Sequence, residues 1–228
     1  MAYNIFEKIF SEVSKLNLSS IQKTYKRYSY FYDLSFGSIF DPGRQKAIEK
    51  MTFSPGDHLL EVGVGTGLSL PLYPSDVFIS GIDVSPEMLK KAHKKKEKER
   101  LNNVIALEIM DAENMTFSEN SFDKVVAMYV ATVVPNPLRL VDEMKRVCKP
   151  DGEIYMVNHF QHKHPLICGV EKIAYPLSNF LGFRTHLSLD SFIEDAKLDV
   201  LEQEGVNFGS HWTLLRIRNN KQITAAMV

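Results

Sequence analysis

Three glycines alternate through LLEVGVGTGLSL, residues 59 to 70, and a carboxylate stands two positions before the first of them. Gly63, Gly65 and Gly67 follow an apolar run that ends at Glu61 and Val62, the pattern of a strand passing through a loop into a helix. Glycine leaves no Cβ in the way and admits backbone angles closed to other residues, so a ligand can lie against the peptide here. The spacing is not the dinucleotide fingerprint. G-x-G-x-x-G counted from Gly63 demands glycine at position 68, where this chain has Leu68. Glu61 would repel a pyrophosphate and attract an ammonium or a sulfonium, so the preferred ligand is cationic.

Two further carboxylates extend the pattern. The run VFISGID ends in Asp83, where a carboxylate can accept hydrogen bonds from both hydroxyls of a ribose. A third run ends in IMDAENM, where Asp111 can accept from an adenine amino group while Ala112 leaves room for the ring. Acidic residues commonly end loops for solubility alone. Three at successive strand ends, joined to a glycine loop, fit an adenosine carrying a positive charge.

Those residues need a scaffold, and the periodicity supplies one. HLLEVGVG, VFISGIDVS, NVIALEIMDAE, FDKVVAMYV and GEIYMVNHF are strand-like runs separated by helical stretches, which predicts a parallel sheet. Before them, Phe6, Ile9, Phe10, Val13 and Leu16 recur at helical spacing, and Tyr25, Tyr28 and Tyr32 share one side of a second helix. The run KKAHKKKEKER, residues 90 to 100, holds seven Lys or Arg and two Glu; it reads as the solvated side of a sheet-covering helix or as a contact with an anionic surface. Residues 162 to 188 break the alternation with Pro165, Gly169, Pro176 and Gly182 and read as an insertion after a strand. At 228 residues and 44% hydrophobic the chain suits one α/β core, and no apolar run approaches the ~18 residues that cross a bilayer. A net charge of -1 gives no argument for nucleic acid. Cys148 and Cys168 are too few for a disulfide framework or a zinc site, and the N-terminus lacks the pattern of a secretory signal, so no metal and a cytoplasmic location are expected.

EVGVGTG, GIDVSPEML and DAENMTFSENSFDKVVA resemble the first three motifs of the class I S-adenosylmethionine-dependent methyltransferases. Within that family, YFYDLSFGSIFDPGR and YVATVVPNPLRLVDEMKRVCKPDGEIYMVNHF are similar to the bacterial phosphatidylethanolamine N-methyltransferases of the soluble-fold type. The resemblance implies a doubly wound α/β fold, a mostly parallel seven-stranded Rossmann-like sheet with N-terminal amphipathic helices. Residues 1–45 would cover the cofactor site and touch the membrane, and 46–228 would form the methyltransferase domain. It further implies S-adenosyl-L-methionine as cofactor, S-adenosyl-L-homocysteine as product, and methyl transfer to the amine of phosphatidylethanolamine, stepwise toward phosphatidylcholine. A small soluble amine or a quinone is the alternative acceptor.

The same resemblance distributes roles. Glu61 and the glycine loop would hold the methionine part, Asp83 the ribose, Val84 and Met88 the faces of adenine, and Asp111 with Ala112 its edge. Met128 and Tyr129 would face the sulfonium and the incoming nitrogen; Tyr129 reads equally as a buried strand tyrosine. Tyr28 and Tyr32 would reach the methionine carboxylate and Tyr25 the substrate, unless that face is ordinary packing. His159 would take the amine proton or pair with a lipid phosphate, with Lys163, Arg184 and Arg216 also serving the phosphate. The expected partners are a phospholipid substrate and an anionic membrane surface on the inner face of the cell membrane, bound reversibly by a monomer. The apolar edge of residues 3 to 16 would carry that attachment, unless it docks on the domain's own core.

Overall fold

Strands covered by helices on both faces must be apolar on both, which is why the central strands read as continuous runs rather than alternating ones. The computed structural model describes residues 37–160, 187–207 and 212–221. All five runs form strands: β1 (His58–Val62), β2 (Phe78–Asp83), β3 (Val104–Ile109), β4 (Phe122–Met128) and β5 (Cys148–His159). They pair in parallel in the order β3-β2-β1-β4-β5. β6 (Asp199–Val206) and β7 (Trp212–Arg218) complete a seven-stranded mixed sheet, with β7 antiparallel between β5 and β6. Strand order reverses direction beside β1, the topological switch at which open α/β sheets bind ligands.

Helices cover both faces. On one side lie α1 (Gly37–Lys50) and α2 (Pro86–Glu99), burying Ala47, Ile48, Leu89 and Ala92 against Leu59, Ile79, Val126 and Tyr155. On the other lie α3 (Pro137–Val147) and the short α4 (Leu189–Asp195), burying Leu140, Val141, Met144 and Phe192 against Leu60, Val125, Ile154 and Ile217. Local signals set the helix ends. Ser85 caps α2 by accepting from the Met88 N–H, Pro86 fixes its first turn, and Arg100 ends it in the left-handed region. Asn136 caps α3 through the N–H groups of Leu138 and Arg139.

α2 carries the basic run as a helix face, with Met88, Leu89 and Ala92 inward and Lys90, His93 and Lys94 exposed. α1 was not legible as a helix, because Gly37, Pro42 and Gly43 all argue against one. It crosses the domain boundary expected at residue 45, and Arg44 and Ala47 on either side are both buried. Lys46 and Lys50 tie it to Glu202 and Glu204 of β6. The helices expected within residues 3–32, and most of the insertion at 162–188, lie outside the described residues.

Candidate active site

A pocket opens at the carboxyl ends of β1, β2, β3 and β4, and the glycine loop forms one wall of it. Its lining includes Glu61, Gly63, Gly65, Asp83, Val84, Met88, Asp111, Ala112, Met128 and Tyr129, so ten of the residues singled out from the sequence meet at one cavity.

The three glycines do different work. All have positive φ, at 71°, 57° and 76°. A Cβ on Gly63 would stand 2.4 Å from Val130 Cγ2, and one on Gly67 would stand 2.8 Å from Leu70 Cδ1 and 3.2 Å from Ala92 Cβ. Gly67 lies outside the pocket lining and is a packing residue, since the loop must approach α2 there. Gly65 alone faces open space, with no atom nearer than the Gly63 carbonyl at 4.0 Å. That backbone is a cradle that a side chain would fill.

Glu61 ends β1 almost fully buried. Its Oε1 accepts from Ser69 Oγ at 2.5 Å and its Oε2 from the Tyr73 hydroxyl at 2.9 Å. Burial pushes its carboxyl up to about 7, against the pull of those two donors and of Arg44. Asp83 accepts from the Gly65 N–H at 2.9 Å through Oδ2 and from the Ser85 N–H at 2.8 Å through Oδ1. Burial raises it to about 6 while these backbone donors and that of Val84 oppose the rise. Asp111 Oδ1 accepts from the Glu113 N–H at 2.9 Å, which fixes the turn that carries Ala112.

Tyr129 is the first residue after β4 and has φ of 66°, a conformation that costs a non-glycine residue about 1–3 kcal/mol. Its N–H donates to the Val157 carbonyl at 2.6 Å, so the backbone stays anchored to β5 while it turns the side chain to the pocket. The Asn207 Nδ2 donates to its hydroxyl at 3.1 Å, and the Arg44 guanidinium lies 5.7 Å over its ring. Arg44, held by Asp41 at 2.5 Å, lines the pocket from α1. Sequence reasoning missed Arg44 and Asn207, since neither belongs to a run with chemical spacing. The fold explains Gly43 in α1, because a Cβ there would stand 2.3 Å from the Tyr129 hydroxyl oxygen.

Besides Gly67, two other predicted residues are not in the pocket lining. His159 closes β5 at the same end of the sheet but packs edge-on against Trp212, with ring centroids 5.9 Å apart, and it is not among the lining residues. Arg216 is at the other end: β7 is antiparallel to β5, so this late residue pairs with Tyr155 and its guanidinium binds Glu153. The structure thus places the Arg216 guanidinium away from the pocket lining. Tyr25, Tyr28, Tyr32, Lys163 and Arg184 lie outside the described residues.

A pair of buried carboxylates with raised pKa, a glycine cradle and a pocket at the sheet's switch point define a ligand-binding site of the doubly wound α/β class. Residues 60–156 match the family described as Methyltransferase domain. The chain is 40% identical over 203 residues to a phosphatidylethanolamine N-methyltransferase of Cereibacter sphaeroides, covering 89% of this chain and 99% of that relative. It is 30% identical over 178 residues to a ubiquinone biosynthesis O-methyltransferase of Coxiella burnetii, covering 75% of each. The fold superposes with a TM-score of 0.73 on a putative methyltransferase solved with the Trm112 activator of Haloferax volcanii, at 16% identity over 89% of this chain and 99% of that one. The chain belongs to the class I S-adenosylmethionine-dependent methyltransferases, with S-adenosylmethionine as cofactor and S-adenosylhomocysteine as product. Open space at Gly65 and the buried carboxylate of Asp83 fit that group. Among the described residues no helix is long and apolar enough to cross a membrane, and no cluster of side chains could hold a metal ion.

Proposed function

We propose that this methyltransferase acts on the headgroup amine of phosphatidylethanolamine, adding methyl groups stepwise toward phosphatidylcholine. The observation that carries the reading is the 40% identity that runs through 99% of a relative bearing that substrate's name. S-adenosylmethionine supplies a methyl group on a sulfonium, already activated for in-line displacement. What remains for the protein is alignment and exclusion of water. Gly65 gives backbone contact, Asp83 receives the ribose hydroxyls, and Val84, Met88, Asp111 and Ala112 enclose the adenine. Glu61 offers negative charge to the cationic methionine part, and Arg44 offers a guanidinium to its carboxylate. Met128 and Tyr129 face the sulfonium, the tyrosine hydroxyl fixed by Asn207 where an amine lone pair would arrive.

The 30% identity to a ubiquinone biosynthesis enzyme supports a second reading, transfer to a quinone-type or small soluble acceptor. The deciding experiment is transfer of radiolabelled methyl groups to a total lipid extract, followed by identification of the labelled species. Label in methylated ethanolamine and choline headgroups is expected. Label confined to a quinone or a soluble amine overturns the lipid reading.

A further inference from the structure

We infer that the face formed by α2 and the edge strand β3 docks on an anionic bilayer, a contact separate from residues 3–16. The inference rests on the phospholipid reading above and names where that substrate's surface is met. β3 is an edge of the sheet, and its side chains alternate. Leu107 falls on the α2 side, over Gly81, where a Cβ would stand 2.9 Å from Leu107 Cδ2. Ile109, two residues on, shares that side and is 61% exposed, more than any other large hydrophobic among the described residues, while Ile105, 49% exposed, sits where the β2–β3 register shifts.

Beside this apolar ridge α2 sets Lys90, His93 and Lys94 at positions i, i+3 and i+4, all exposed. A shallow groove between them is lined by Pro86, Leu89, Lys90, His93, Leu107 and Ile109. Glu108 is the acid in that groove and Glu97 lies further along α2. On this face the exposed Lys90 and Lys94 stand against Glu108, while Lys95 pairs with Glu99 along the helix. Lys90 and Lys94 have no ion pair among the described residues, so their charge is not spent internally. An apolar ridge flanked by amines is the pattern that seats in a headgroup layer of opposite charge.

Position argues the same way. Ile109 is followed by Met110 and Asp111, both in the cofactor pocket, and Pro86 of the groove stands two residues before Met88 of the pocket. The ridge is therefore continuous with the pocket's rim, and seating it holds the carboxyl ends of the strands at the level where a lipid amine lies.

The test is cosedimentation of the full chain with phosphatidylcholine vesicles with and without phosphatidylglycerol. No phosphatidylethanolamine is present, so binding is read without the proposed acceptor. The wild-type chain should pellet with the anionic vesicles and far less with the neutral ones. A lysine near an anionic leaflet is worth about fivefold in partitioning, so the double variant K90E/K94E should bind at least about 25-fold more weakly. Ile109→Asp should weaken binding as well, and both variants should keep the wild-type affinity for S-adenosylmethionine. Undiminished pelleting of the folded lysine variant overturns the inference. So does a change in its sedimentation coefficient without vesicles while pelleting persists, which would assign the face to a protein partner. Failure of the phospholipid reading itself is registered by the label assay alone.

Discussion

The Gly65 N–H donates to Asp83 Oδ2 at 2.9 Å, which joins the glycine loop after β1 to the carboxylate that ends β2. One side chain thus both shapes the cradle and offers its remaining lone pairs to the ligand. Asp83→Ala should lose ribose hydrogen bonds to a charged acceptor, each about 1.5 to 3 kcal/mol, and the loop tether with them. Affinity for S-adenosylmethionine should fall by about one to two decades or more in titration calorimetry. Unchanged affinity would remove the adenosine from this carboxylate.

The buried carboxylates give the site a pH dependence with a definite sign. Glu61 is raised from 4.5 to about 7 and Asp83 from 3.8 to about 6, so what each adds to stability is fully present below its ordinary value and is lost as pH rises through its folded value. A sulfonium and two hydroxyl donors favour the ionised forms. Binding should therefore release protons, affinity should climb between about pH 5.5 and about pH 7.5, and the cofactor should raise the melting temperature more at the higher end. Calorimetry near about pH 6.5 in two buffers of different ionisation enthalpy measures the proton count. Proton uptake would mean that neither carboxylate meets the ligand as an anion.

Alanine at each loop glycine separates folding from binding. Left-handed backbone costs any of the three about 1–2 kcal/mol. Gly63→Ala and Gly67→Ala add collisions with Val130 and with Leu70 and Ala92, so their melting temperatures should fall furthest. Gly65→Ala meets nothing of the protein and should melt higher than the other two while losing the most cofactor affinity per degree of melting lost. Equal losses across the series would deny Gly65 its place in the cradle.

Gly43 should behave against helix propensity. Alanine inside a helix normally gains about 1 kcal/mol over glycine. Here the added carbon would meet the Tyr129 hydroxyl oxygen at 2.3 Å and the Asn207 side chain at 2.7 Å. Gly43→Ala should lower both the melting temperature and kcat, since α1 must lift Arg44 from the pocket to admit it. A stabilised, fully active variant would show that this close packing plays no part in turnover.

The sequence exposed the first half of the site because its residues lie at strand ends, where carboxylates and glycines interrupt apolar runs. Glu61, Asp83 and Asp111 could each be read from a change of pattern over a few residues. Arg44 and Asn207 could not, because they reach Tyr129 through the packing of α1 and the β6 to β7 turn, contacts 85 and 78 residues apart in the chain. The strand β6 also escaped: DVLEQEGV carries Glu202 and Glu204 on the side that meets Lys46 and Lys50 of α1 and leaves Leu201 exposed, so it lacks the apolar alternation of a half-buried strand. Gly67 shows a related limit of spacing, since its backbone packs against Leu70 and Ala92. Spacing alone cannot tell a glycine that admits a ligand from one that admits a neighbouring helix.

Arg216 and His159 offer the last discrimination, since both could meet a lipid phosphate by charge and the fold separates them. Arg216 binds Glu153, whose carboxylate also accepts from Tyr155 and lies near Lys124, at the amino ends of the parallel strands. His159 stands at their carboxyl ends, where the pocket opens. Removing the Arg216 side chain breaks a partly exposed ion pair worth about 0 to 1 kcal/mol, so Arg216→Ala should melt slightly lower and methylate at the wild-type rate. His159→Ala should raise KM for phosphatidylethanolamine vesicles while leaving the affinity for S-adenosylmethionine intact. Steady-state kinetics on mixed vesicles, run beside a melting curve for each variant, compares them directly. Loss of turnover in the arginine variant with retention in the histidine variant would put the lipid at the wrong end of the sheet and undo the placement of the acceptor.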